Sequence, residues 1–191
     1  MTSSAPVGIF DSGVGGLSVL RHVHALLPHE DLLYFADAGF APYGEKPEEV
    51  IVARSLAIAR FLLARGAKAL VVACNTATVA AVASVRAHFP DVPLVGVEPG
   101  LKPGAALTAS GLVGVLATDR TLAGRKFRDL METVSGATGV RFLLQPCTGL
   151  ALQIEQGTPN DAATAALVRG YVVPLLEQGA DTLVLGCTHY P

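Results

Sequence analysis

LLARGAKALVVACNT (residues 62–76) is written a second time near the end of the chain, as LLEQGADTLVLGCTH (residues 175–189). Aligned, the two stretches share Leu62/Leu175, Leu63/Leu176, Gly66/Gly179, Ala67/Ala180, Leu70/Leu183, Val71/Val184 and Cys74/Cys187. Each reads as a helix end, a glycine stop, a short buried strand, and a cysteine just past it. A second echo pairs VGIFDS (7–12) with VGVLAT (113–118), and each places a small hydroxyl residue, Ser12 or Thr118, after a buried strand. The two echoes differ slightly in spacing, as an insertion or deletion between related lobes produces.

Outward from these stretches, short Val/Leu/Ile runs alternate with segments of helical period. That is the pattern of parallel strands covered by helices on both faces. Strands are predicted at 7–10, 32–36, 69–73 and 94–97, then near 112–117, 140–145 and 182–186. After the first strand, Leu17, Leu20, Val23 and Leu27 share one face of a predicted helix. Pro47 followed by Glu48 and Glu49 marks another helix start, and Gly66 its end. The expected fold is α/β, with two similar lobes, each a mainly parallel sheet flanked by helices. The lobes are expected to be related by a pseudo-twofold axis, with the active site in the cleft between them. The expected boundary divides residues 1–97 from 98–191.

The 191 residues are 51% hydrophobic and only 16% charged, so the chain is globular. A net charge of −2 argues against nucleic acid or an anionic membrane as a partner. MTSSAPVGIF lacks the features of a signal peptide. The longest uncharged run, Ala69 to Val85, carries Asn75, Thr76, Thr78 and Ser84, and splits into a strand and a helix rather than a membrane span. Three cysteines without a secretory signal point to reduced thiols and a cytoplasmic protein.

In open parallel sheets the ligand crevice lies at the carboxyl ends of the strands. Asp11, Ser12, Asp37, Cys74, Asn75, Thr76, Thr118, Cys187, Thr188 and His189 all fall at such ends. Two cysteines facing each other across one cleft suit inversion of a stereocentre: one thiolate removes an α-proton and the opposite thiol returns one. Backbone N–H groups past each strand are expected to favour the thiolates. Ser12, Asn75, Thr76, Thr118 and Thr188 offer donors to a carboxylate. Asp11 suits an ammonium group or assistance to a cysteine, and His189 suits tuning of Cys187 or a developing enolate.

No cofactor is called for. GVGG (13–16) is not a nucleotide fingerprint, and none of Lys46, Lys68, Lys102 and Lys126 lies beside the cysteines at a strand's carboxyl end, where a Schiff-base lysine would be needed. No metal-ligand pattern occurs. His22, His24, His29 and His88 read as surface residues, and Cys147 as a small core residue without a repeat partner.

GIFDSGVGGLSVL, YFADAGFAPYGEK, VVACNTAT and LVLGCTHYP together resemble the glutamate racemases, cofactor-independent members of the aspartate/glutamate racemase family. The resemblance runs through the whole chain. It implies an isomerase that makes D-glutamate for peptidoglycan, with Cys74 acting on D-glutamate and Cys187 on L-glutamate. It also implies substrate contacts from Asp11, Ser12, Tyr43, Gly44, Asn75, Thr76, Thr188 and His189, with Asp37 and Glu155 as supports. Gly124 and Phe127 replace a serine and a tyrosine common in the family, at positions expected to be structural. Family members continue past the second cysteine motif to complete the first lobe, whereas this sequence ends at Pro191, so that segment is expected to be absent.

Three other readings stay open: a racemase of aspartate or another small amino acid, an inactive glutamate-binding form, and a cysteine hydrolase with Cys74 as nucleophile and His189 as base. The sequence also leaves open the oligomeric state, a homodimer included.

Overall fold

The computed structural model describes residues 4–157 and 161–191. In chain order the described elements are β1 (Val7–Asp11), α1 (Leu17–Leu26), β2 (Leu32–Ala36), α2 (Glu48–Ala64), β3 (Ala69–Val72), α3 (Asn75–His88), β4 (Leu94–Gly96), α4 (Leu101–Leu107), β5 (Leu112–Ala117), α5 (Asp119–Ala123), α6 (Arg125–Thr138), β6 (Arg141–Pro146), α7 (Leu150–Glu155), α8 (Ala162–Glu177) and β7 (Thr182–Leu185). One sheet has the order β2-β1-β3-β4 and the other β6-β5-β7. Every pairing is parallel.

The repeated sequence is a repeated register. Val7 stands opposite Ala69 in the first sheet, and its counterpart Val113 stands opposite Thr182, the counterpart of Ala69, in the second. The helix ends that precede β3 and β7 are also the same. Gly66 has φ +87° and Gly179 φ +92°, the left-handed region that a side chain makes costly. Ala67 N–H donates to the Leu62 carbonyl and Gly66 N–H to Leu63, while Ala180 donates to Leu175 and Gly179 to Leu176. This double bond pattern caps the last free carbonyls of a helix and turns the chain into the next strand. The shared leucines, glycine and alanine are therefore a helix stop, written twice.

Each lobe has its own apolar interior. Phe10, Ile58, Leu62, Leu70 and Val82 fill the first, between β1, β3, α2 and α3. In the second, Val113 and Val115 of β5 join Leu101, Phe127, Val134 and Val184, while Leu116 points to the other face with Leu150 and Leu175. That alternation follows the two-residue period of a strand buried on both sides. Phe127 is fully enclosed, as expected for a structural position. Phe127→Ala is expected to cost about 3–5 kcal/mol of stability, read as a lowered midpoint in urea unfolding.

The predicted apolar stripe of α1 is less covered than its pattern suggests. No residue of α1 is buried, and Leu17 and Leu27 are about half exposed. The helix lies beside β2, the edge strand, and Leu17, Leu20, Leu32 and Tyr34 line an open groove there. Among the described residues no helix is long and apolar enough to cross a membrane.

Candidate active site

The two cysteines are placed by equivalent bonds. Ala73 N–H donates to the Phe10 carbonyl, and Gly186 N–H donates to that of Leu116, the counterpart of Phe10. Each is the last ladder bond before a cysteine, so Cys74 and Cys187 emerge one residue beyond the sheet. Both are nearly inaccessible, at 4% and 8% exposure. The central strands end beside them in Asp11 and Ser12, and in Ala117 and Thr118.

Side-chain hydrogen bonds join the lobes at this level. Thr188 donates its hydroxyl proton to Asp11 Oδ1 at 3.0 Å, and Thr76 and Thr118 share a hydroxyl bond of 2.9 Å. Thr118 also caps α5 and meets the Thr121 hydroxyl at 3.0 Å. Thr121 is thus a third hydroxyl in this cluster, which the strand-end reading missed because it lies one helical turn further on. Asn75 donates its amide to the Val97 carbonyl at 3.0 Å, tying α3 to the end of β4.

Around Cys187 the bonds fix a proton position. Glu155 Oε1 lies 2.5 Å from His189 Nε2 and also accepts the Val14 N–H at 2.7 Å. A carboxylate only accepts, so Nε2 carries a proton, and in the neutral ring Nδ1 is then the acceptor. The Thr188 proton is committed to Asp11, which leaves the Cys187 thiol, 3.7 Å away, as the donor to Nδ1. His189 therefore faces Cys187 rather than Cys74, which removes the geometric basis of the hydrolase reading. Glu155 acts from α7 on a residue 34 positions along the chain. Spacing alone could not reveal that; only the family resemblance pointed to it.

Cys74 caps α3, where its sulfur accepts the Ala77 N–H at 3.4 Å, and its thiol meets Ser12 Oγ at 3.7 Å. The expected stabilisation of both thiolates by neighbouring N–H groups is outweighed. Burial and, after it, the Asp11 charge push the Cys74 thiol up to about 12, and the Ala77 and Ser12 bonds offset only part of their effect. Cys187 is raised too, first by burial and then by the Cys74 and Asp11 charges, against a favourable bond from the His189 backbone. Burial likewise raises Asp11, which is fully enclosed and accepts the Gly13 N–H at 3.0 Å. Since the thiolate is the reactive form, iodoacetamide labelling of Cys74 is expected to rise by about tenfold per pH unit from pH 7 to 10, without a plateau. Peptide-mapped labelling rates check this; a plateau near pH 8.5 would contradict it.

The glycines of GVGG are there for close approach. A Cβ on Gly13 would strike the Glu155 carboxylate, one on Gly15 the His189 ring, and one on Gly16 Asp11 and Tyr34. Gly44 similarly abuts Thr118, and Gly124 abuts Val79. Tyr43 is buried and donates to Asp37 Oδ2 at 2.5 Å; Arg54 grips the same carboxylate. Asp37 thus belongs to a cluster with Tyr43 and Arg54 and makes no side-chain bond, among the described residues, to those that bond the cysteines. Cys147 proves to have a repeat partner after all: its N–H bonds the Ala117 carbonyl as that of Asp37 bonds Asp11. Its thiol lies in an apolar cluster with Leu116 and Leu150. His22, His24, His29 and His88 are exposed. All three cysteines are free, and the described residues contain no cluster arranged for a metal.

The family model for Asp/Glu/Hydantoin racemase matches residues 15–191. The chain belongs to that family. A glutamate racemase of Methylococcus capsulatus is 59% identical over 186 residues, covering 97% of this chain and 68% of that protein. One from Ectopseudomonas mendocina is 58% identical over 189 residues, covering 99% and 71%. Among solved structures, Escherichia coli glutamate racemase in complex with L-glutamate and the activator UDP-MurNAc-Ala superposes with a TM-score of 0.86 at 36% identity, covering 98% of this chain and 71% of that one. The Francisella tularensis enzyme in complex with D-glutamate gives 0.84 at 30% identity, covering 98% and 70%. These family members share the two-lobed α/β fold.

Proposed function

We propose that the chain interconverts L- and D-glutamate by two-base proton transfer at Cα, with Cys74 and Cys187 as the bases and no cofactor. The single observation that carries this reading is the equivalent placement of two buried thiols past paired strands of two parallel sheets. The relatives' names and the glutamate bound in two of the similar structures support glutamate over aspartate. D-Glutamate for peptidoglycan, made in the cytoplasm, is the corresponding role, and residues 1–97 and 98–191 are the proposed lobes.

In this mechanism one cysteine enters as thiolate and the other as thiol. For L-glutamate, His189 Nδ1 takes the Cys187 proton, and the resulting imidazolium is held by Glu155. The thiolate removes the α-proton, and the Cys74 thiol delivers its own to the opposite face. The product is D-glutamate, with Cys187 protonated and Cys74 ionised. For D-glutamate the roles reverse, and Ser12 and the Ala77 N–H support the Cys74 thiolate. Ser12, Asn75, Thr76, Thr118 and Thr188 are the proposed donors to the carboxylates, through hydroxyl, amide or backbone N–H groups (for Thr188 the backbone N–H), with Tyr43 and Gly44 as the adjoining wall. Asp11 is proposed to meet the ammonium group. Charge building at the α-carbon and its carboxylate is stabilised by these fixed dipoles in a site closed to water.

The test is incubation with L-glutamate in D₂O, following the Cα–H signal and optical rotation together. Loss of both is expected. Binding without exchange would sink the proposal in favour of a binding protein, and faster exchange of aspartate would reassign the substrate.

A further inference from the structure

We infer that Arg54 is a positioning residue, which acts through Asp37 and Tyr43 to hold one wall of the cleft in place. The inference rests on the racemase reading above for its kinetic arm only. Arg54 lies on α2, outside every motif singled out from the sequence. Its Nε donates to Asp37 Oδ2 at 3.0 Å and its Nη2 to Oδ1 at 2.6 Å, a two-pronged pairing that only a guanidinium makes. The same group stacks over the Phe40 ring, 4.0 Å from its centre. Asp37 Oδ2 in turn accepts the Tyr43 hydroxyl at 2.5 Å. One arginine thus fastens residues 37, 40 and 43 of a single loop.

That loop ends on the candidate site. The Tyr43 ring is 1% exposed and lies in the same buried cluster as Cys74. The next residue, Gly44, is so close to Thr118 that an added Cβ would come within 2.8 Å of its side chain. Thr118 bonds Thr76, two residues from Cys74. Displacement of the loop would therefore move the wall beside Cys74 and the hydroxyls proposed to receive substrate. In the second lobe Cys147 occupies the place of Asp37 and lies among apolar side chains, with no arginine paired to it among the described residues. An ion pair serving stability alone would need neither the shared tyrosine nor the seat against Thr118. The Asp37 side chain is only 5% exposed, so loss of its guanidinium partner would also leave a buried carboxylate unpaired, and the Cys147 control in the test separates that general loosening from a local one.

The test compares wild type, Arg54→Gln, Arg54→Lys and Tyr43→Phe in two assays. The first is racemisation of glutamate; the second is iodoacetamide labelling of Cys74 and Cys147, mapped by peptide. Arg54→Gln is expected to raise KM for glutamate by about tenfold with kcat within about threefold, because binding is lost before chemistry. Labelling of Cys74 is expected to speed up by about tenfold, with Cys147 changing by less than about twofold. Tyr43→Phe should move both in the same direction, and Arg54→Lys should recover only part. Unchanged KM and labelling would overturn the inference. So would equal acceleration at both cysteines, the sign of general loosening, or full recovery by lysine. A wild type that does not racemise glutamate would refute the function and leave the labelling to decide the role of Arg54.

Discussion

Cys74→Ser and Cys187→Ser are each expected to lower racemisation by about 10³-fold, equivalent to about 4 kcal/mol of transition-state stabilisation. A serine hydroxyl keeps the size of the side chain and its hydrogen bonds, but it is far too weakly acidic to serve as the base. The damage is expected to be one-sided. Cys187→Ser should lose α-hydrogen exchange with L-glutamate before D-glutamate, because Cys187 and its partner His189 act on the L enantiomer. Cys74→Ser should show the reverse preference. Exchange with each enantiomer in D₂O, measured separately for each variant, checks the assignment. Loss of the same half-reaction in both variants would refute it.

Asp11→Asn is expected to reduce kcat/KM by about 10²-fold or more. Asp11 is fully enclosed, accepts the Gly13 N–H and the Thr188 hydroxyl, and carries the charge proposed to receive the substrate's ammonium group. An amide keeps one acceptor and loses the charge. Its NH₂ must then face either the Gly13 N–H or the Thr188 hydroxyl. The Thr188 hydroxyl can turn to accept from that NH₂ while Oδ1 accepts the Gly13 N–H, so the bond between the lobes is kept and stability should change by less than about 1 kcal/mol. A variant with wild-type kcat/KM would show that Asp11 does not meet the substrate. Calorimetric unfolding and steady-state kinetics on the same preparation separate the two effects.

Much of this site was legible along the chain because strands and helix stops obey local rules. The glycine at positive φ, the leucines that accept its cap bonds and the cysteine one step past the last ladder bond are all set by neighbours in sequence. Cys74 and Cys187 could therefore be paired by inspection, and Ser12 and Thr118 placed beside them. Other features were not legible. The Glu155–His189 bond, the Arg54 grip on Asp37 and the contact of Gly44 with Thr118 each depend on which distant elements meet. Periodicity carries no information about that.

The thiols show the same division most clearly. The sequence by itself determined that two cysteines end two equivalent strands, since register and capping are local and repeated. It also suggested easily ionised thiols, because a helix start and free N–H groups lie close by in the chain. Only the tertiary structure decided their acidity. Packing of both lobes around the cleft removes water from Cys74 and Cys187, and that desolvation outweighs the few N–H bonds the backbone supplies. Burial is a property of the whole assembled surface, which is why no local reading of the chain could weigh it.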